Sequence, residues 1–196
     1  MHYLYQTFSE MVLHQAIGEA HYLQGKGKPD YRQYCYKAIR SYNQALKTFT
    51  QDAFPELHLE VLQNYIKPLS ALGETEKAVT LTQRGSDLLR RLLSEPNRSD
   101  FSKKQLKFKF INLQQLTVDL YVQLGQPIKA LEEAEADKNA CLTWFLSNYS
   151  EEISSAKYNE IQQLLNPKTA IYLLASQPCG THYLHHQTWC GRTNCN

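Results

Sequence analysis

The chain has 196 residues, enough for one domain or a short repeat array with a real core. Its 21 Lys and Arg against 19 Asp and Glu leave a formal net charge of +2, so no global field draws it to nucleic acid or anionic lipid. Apolar runs stop short of the roughly 18 to 20 residues that cross a bilayer, Met1 to Gln15 lacks a signal-peptide pattern, and five unevenly spaced cysteines argue against a secreted disulfide scaffold, so a cytoplasmic protein is expected.

From residue 5 to 165 apolar positions recur at three- and four-residue steps, and the breaks fall at Gly, Pro or polar caps. The spacing predicts helices over about 5–24, 30–50, 55–72, 75–93, 102–124, 127–148 and 150–165, with no strand before residue 168. The fold class is all-α, with a helical domain over 1–165 and an irregular tail over 166–196. In the first helices His14, His21 and His58 read as surface or interface residues, Cys35 as a small core residue, and the tyrosines, such as Tyr31, Tyr34 and Tyr42, as filling between layers. Helix three carries a polar set, Glu60, Gln63, Asn64 and Lys67. A basic run follows from Arg84 through Arg90, Arg91, Arg98, Lys103, Lys104, Lys107 and Lys109, interrupted by Asp87, Glu95 and Asp100. It is the best nucleic-acid candidate, but a solvated face that answers helix macrodipoles is the simpler reading. In helix five Leu106, Phe110, Leu113, Leu116, Leu120 and Leu124 form an apolar stripe, with Asn112, Gln115 and Asp119 on another face. Cys141, in helix six, reads like Cys35.

An internal repeat emerges when the short connections are aligned. LGETEKAV at 72–79 matches LGQPIKAL at 124–131, and Gly73 and Gly125 each supply a residue able to take positive φ where a helix stops. Pro127 fits the first turn of the helix that follows. A third copy, YKAI at 36–39, lacks the Leu-Gly turn but keeps Lys-Ala-aliphatic. Ala38, Ala78 and Ala130 are thus expected near the start of the second helix of three successive hairpins, where small residues let helices approach closely. Tyr42 and Ala45 follow Ala38 at four and seven residues, Thr82 and Gly85 follow Ala78, and Ala134 and Asp137 follow Ala130.

This pattern resembles the tetratricopeptide repeat, over roughly residues 12 to 146. The copies lie about 40 and 52 residues apart, against a usual repeat of about 34, so turns such as KGKPDY at 26–31 and SEPNRSDFS at 94–102 must absorb the excess. The resemblance implies a right-handed stack of antiparallel hairpins whose first helices line a concave surface. There Asn64, Lys67, Asn112, Gln115 and Asp119 would meet a protein or peptide partner.

The stretch from Leu124 through Pro167 also resembles the junction in bacterial, notably cyanobacterial, proteins in which such repeats precede a caspase-like CHAT domain. Ala134-Glu135-Ala136-Asp137 matches the last repeat helix, Ile161 to Leu165 the short lead-in helix, Asn166-Pro167 the entry, and Thr169-Ala170-Ile171 the first strand. After Tyr172 the pattern fails, and read one base later with suitable codons the tail resembles that family's first strands. A frameshifted or truncated gene is the expectation. The family's catalytic His and Cys lie far downstream of the junction, so no enzymatic activity is expected.

Against this stand two alternatives: a regulatory fragment that binds an intact CHAT protease in trans through apolar surface at Trp144, Phe145 and Leu146, and a small metal-binding protein that uses the tail's Cys179, His182, His185, His186, Cys190 and Cys195. The Cys190-to-Cys195 spacing is not a strong knuckle, so no designed metal site and no cofactor are expected. The sequence also lacks a glycine-rich phosphate loop, a Gly-x-Ser-x-Gly elbow and a His-Glu-x-x-His helix. A non-catalytic interaction scaffold is the leading expectation, with nucleic acid, membrane and small-molecule partners not foreseen.

Overall fold

A computed structural model describes residues 2–145 and 154–164, and among these residues it contains eight helices and no strand. They are α1 (His2–Gly25), α2 (Tyr31–Thr48), α3 (Pro55–Leu72), α4 (Thr75–Leu93), α5 (Asp100–Lys109), α6 (Ile111–Gln123), α7 (Pro127–Phe145) and α8 (Tyr158–Leu164). The described residues divide into two compact units, one up to Leu116 and one from Thr117 onward.

Local chemistry explains most helix ends. Pro55 and Glu56 open α3, where a missing N–H is harmless and a carboxylate meets the positive end of the dipole. Gly73 closes α3 at φ 79°, its N–H bonding to Ser70 O at 3.0 Å and the next N–H, of Glu74, to Leu69 O at 3.0 Å. Gly125 repeats the arrangement at φ 67°, with Gly125 N–H on Val122 O at 3.0 Å and Gln126 N–H on Tyr121 O at 2.9 Å. Both are Schellman turns, and the matched LG segments therefore share hydrogen-bond geometry as well as letters. Ser99 caps α5 by accepting from Ser102 N–H at 3.2 Å, and Lys107 and Lys109 occupy its last turn.

In the first unit, helices adjacent in sequence pack on each other from α1 through α5, and α1 also meets α3. Short connections make such neighbours antiparallel hairpins. Tyr22, Cys35, Ala38, Tyr42, Ala45, Phe49, Val61 and Leu72 form one buried cluster. Cys35 is a core residue, as expected, and the Tyr42 ring stacks on Tyr65 with centroids 6.0 Å apart. In the second unit Val118 and Tyr121 pack against Ala130, with Val122 and Ala134 around them.

The repeated small positions are buried. Ala38, Ala78 and Ala130 are fully enclosed, and so are Ala45, Thr82 and Gly85. Ala78 and Ala130 do lie in the first turn of α4 and α7. Ala38 lies two turns into α2, because that helix begins at Tyr31 after a longer connection.

The predicted fifth helix is two helices. At Phe110 (φ −108°, ψ 18°) the backbone leaves helical geometry, and the Leu113 N–H closes on Phe110 O at 3.0 Å. Phe108, Phe110 and Ile111, three weak helix formers among four residues, flank the break, which still leaves Leu106, Phe110, Leu113 and Leu120 buried. The predicted seventh helix is also shorter. Residues 154–157 are not helical and α8 starts at Tyr158, while 150–153 lie outside the described residues. His58 is not a surface residue: it is buried, and its Nδ1–H donates to the Phe49 carbonyl at 2.6 Å. The domain boundary expected at 165/166 and the whole tail also fall outside the described residues.

Candidate partner-binding surface

Two polar rows meet on α1 and α3. On α3, Glu60, Asn64 and Lys67 recur at four and three residues with Gln63 beside them, so a single helical face carries all four. On α1, Gln15, Glu19, Tyr22 and Lys26 recur at four, three and four residues, with Lys26 just past the helix end. Gln15 Nε2 donates to Glu60 Oε2 at 3.3 Å, tying the rows at one end. Further along, the Glu19 carboxylate and the Lys26 ammonium both act on Lys67, so the rows run in the same direction.

Lys67 is the most constrained charge on this surface. Its Nζ donates to Asn64 Oδ1 at 2.9 Å, and it forms no ion pair among the described residues. Burial lowers its pKa from the usual lysine value; Glu19 opposes that shift and Lys26 adds to it. A half-buried ammonium with one hydrogen bond retains donors that a ligand oxygen can use. Beside it, Gln63 presents a buried Oε1 with no hydrogen-bond partner. Pro68 adds a backbone feature: lying inside α3, it has no N–H to return to the Asn64 carbonyl four residues earlier.

Under this surface Tyr42 forms a rigid floor. Its hydroxyl is buried and held protonated well above the ordinary tyrosine range, chiefly by desolvation and further by Glu19 and Tyr22. It reaches there because α1 has glycine at position 18; a Cβ at that position would lie 2.6 Å from the ring.

The other end of the α3 row is neutralised. Lys109 of α5 forms an ion pair with Glu60, and Arg98 bonds Glu56 at 2.9 Å and Glu95 at 3.1 Å. These contacts consume two members of the basic run, and Arg90 pairs with Asp87 at 3.0 Å.

Of the residues expected to meet a partner, Asn64 and Lys67 come together in hydrogen-bonding contact. Asn112 and Gln115 are exposed on α6. Asp119 departs from the expectation: it is buried at 6% exposure, because a turn of α6 with Val118, Leu120 and Tyr121 also buried leaves it no wet face. Sequence reasoning overlooked Gln15, Glu19 and Lys26, although their helical spacing was available, and it overlooked Pro68 as the feature that marks Asn64.

No group of three or more His, Cys, Asp or Glu among the described residues is placed to hold a metal ion. The cysteines and histidines of the tail lie outside them, as do the side chains of Cys141, Trp144 and Phe145 and the whole of Leu146. No described helix is long and apolar enough to cross a membrane. No protein-family model matches the chain, and neither does a curated protein or a solved structure.

Proposed function

We propose that the chain is a tetratricopeptide-like interaction scaffold with no bond-making chemistry of its own, and that it receives an acidic peptide segment along the paired rows of α1 and α3. The observation that carries this reading is Lys67: a half-buried ammonium, depressed by burial and bonded to Asn64 alone, gains most from an incoming carboxylate. The repeated Schellman turns at Gly73 and Gly125 and the enclosed alanines at 38, 78 and 130 support the repeat assignment. The sequence at 124–167 further supports placing this scaffold among the repeat regions that precede CHAT domains, where it would hold or regulate such a domain.

A random peptide display library selected on the full chain tests the reading. Enriched peptides should carry a carboxylate and bind the Lys67→Ala and Asn64→Ala variants at least about tenfold more weakly, the scale of one charge-assisted hydrogen bond. Enrichment of peptides whose affinity is indifferent to both substitutions would sink it.

A further inference from the structure

A second face, on α5 and the start of α6, lies apart from the rows of α1 and α3. Phe101, Lys104 and Phe108 follow one another at three and four residues, which places them in one row along α5, and Ile111 opens α6 just beyond the break at Phe110. Leu106 and Phe110 are buried on the opposite side. Phe101 is 69% exposed, Phe108 73% and Ile111 38%. The two phenylalanines are about 10.5 Å apart along the axis at the helical rise.

The charge on this face is one-sided. Residues 100–111 contain four lysines and a single acid, Asp100. Lys109 is engaged by Glu60, whereas Lys103, Lys104 and Lys107 have no ion pair among the described residues. The chain as a whole is nearly neutral, so this is a local concentration of positive charge around protruding aromatic groups.

We infer that this face docks on an anionic lipid bilayer, the two phenylalanines entering the interface and Lys104 and Lys107 meeting the headgroups. The exposure selects this occupant over a peptide. A peptide groove holds its apolar residues half-enclosed between walls, whereas these rings stand with more than two thirds of their surface in water. Side chains that project are suited to a soft layer that closes around them. Free lysines flanking them supply the attraction that a pair of rings alone cannot sustain. The contact is peripheral, and the inference stands independently of the peptide surface on α1 and α3. It departs from the expectation, drawn from a net charge of +2, that a membrane partner is not foreseen.

Sedimentation of the full chain with vesicles tests it, using phosphatidylcholine alone and phosphatidylcholine with about 30% phosphatidylserine, since anionic lipid supplies the field. Wild type should partition onto the anionic vesicles and remain in solution with the neutral ones. Phe101→Ser with Phe108→Ser should weaken partition by at least about tenfold, and Lys104→Gln with Lys107→Gln by about twenty-fivefold, or roughly fivefold per lysine. All four side chains are exposed, so circular dichroism should show unchanged helicity in both variants. Arg40→Gln with Lys47→Gln, which removes the same charge from exposed positions on α2, should leave partition nearly intact. No partition of the wild type, or equal loss in the α2 control, overturns the inference. Self-association that the phenylalanine variant abolishes, without vesicle binding, assigns the face to a second copy and overturns it as well.

Discussion

Two glycines in the first unit occupy helix contacts that look alike in sequence and differ physically. Gly18 of α1 lies against Tyr42, and a Cβ there would stand 2.6 to 2.9 Å from three ring carbons. Gly85 of α4 lies against Leu113, and a Cβ there would be crowded by its Cδ2 methyl at 3.1 Å, with Leu113 Cδ1 at 3.5 Å and Leu59 Cδ2 at 3.8 Å in ordinary contact. The Tyr42 ring is buried and stacked on Tyr65, so it has nowhere to retreat. Leu113 is buried as well, but small χ changes at its flexible end can shift a methyl by a few tenths of an ångström. The need for glycine is therefore set by the stiffness of the neighbour, not by closeness alone.

The same substitution should separate the two sites. Gly18→Ala gains helix propensity but overpacks against a fixed ring, and a net loss of about 1–2 kcal/mol is expected in urea unfolding. Gly85→Ala collects the propensity with little strain and should be neutral to about 0.5 kcal/mol stabilising. If both lose stability equally, the stiffness argument is wrong. Tyr42→Phe keeps the ring, so it should not rescue Gly18→Ala; Tyr42→Leu, with a flexible end, should recover part of the loss.

Gly73 is the opposite case, because a Cβ there would meet nothing within 4 Å. Its constraint is purely its φ of 79°, so Gly73→Ala should cost about 1 kcal/mol through backbone strain. Gly73→Asn, which tolerates that conformation better, should cost less. A smaller effect is expected where no glycine is involved: Arg98→Ala, which unties Glu56 from the 94–99 connection, should cost about 0.5–1 kcal/mol, a difference that shrinks in high salt because screening weakens the wild-type ion pair.

How far these features were legible depends on the range of the interaction. The Leu-Gly turns at 73 and 125 were readable because a positive φ and the hydrogen bonds that close a Schellman turn are local and leave a local residue signature. The buried alanines were readable from the aligned Lys-Ala-aliphatic segments at 37–39, 77–79 and 129–131. The break at Phe110 was not, because an uninterrupted apolar stripe through Leu106, Phe110 and Leu113 survives it, and periodicity reports the stripe rather than the backbone beneath. His58 was misread since a lone histidine carries no mark of the Phe49 carbonyl that receives its proton. At the candidate surface, helical spacing placed Asn64 with Lys67, but which residues of α1 face them is a tertiary fact. The same limit applies to Asp119, whose burial the pattern of Asn112 and Gln115 could not reveal.

Lys67 and Tyr42 differ in the sign of their response to alkali, and that difference gives the finest test of the candidate surface. Lys67 has its pKa lowered in the fold, so between that value and the ordinary 10.5 the unfolded chain binds more protons and stability rises with pH. Below that window the ammonium is charged in both states and its desolvation cost is fully present. Tyr42 has its pKa raised, so above its ordinary 10.0 the unfolded chain loses the proton first and stability falls. Urea midpoints of wild type between pH 7 and 11 therefore contain opposing slopes from two residues in one small region. Lys67→Met should be more stable than wild type at pH 7, with the advantage shrinking as pH approaches 10.5. Tyr42→Phe should gain relative stability only above pH 10. A Lys67→Met advantage that is constant with pH would mean that the ammonium is as well solvated in the fold as in the unfolded chain. Lys67 would then gain little from an incoming carboxylate.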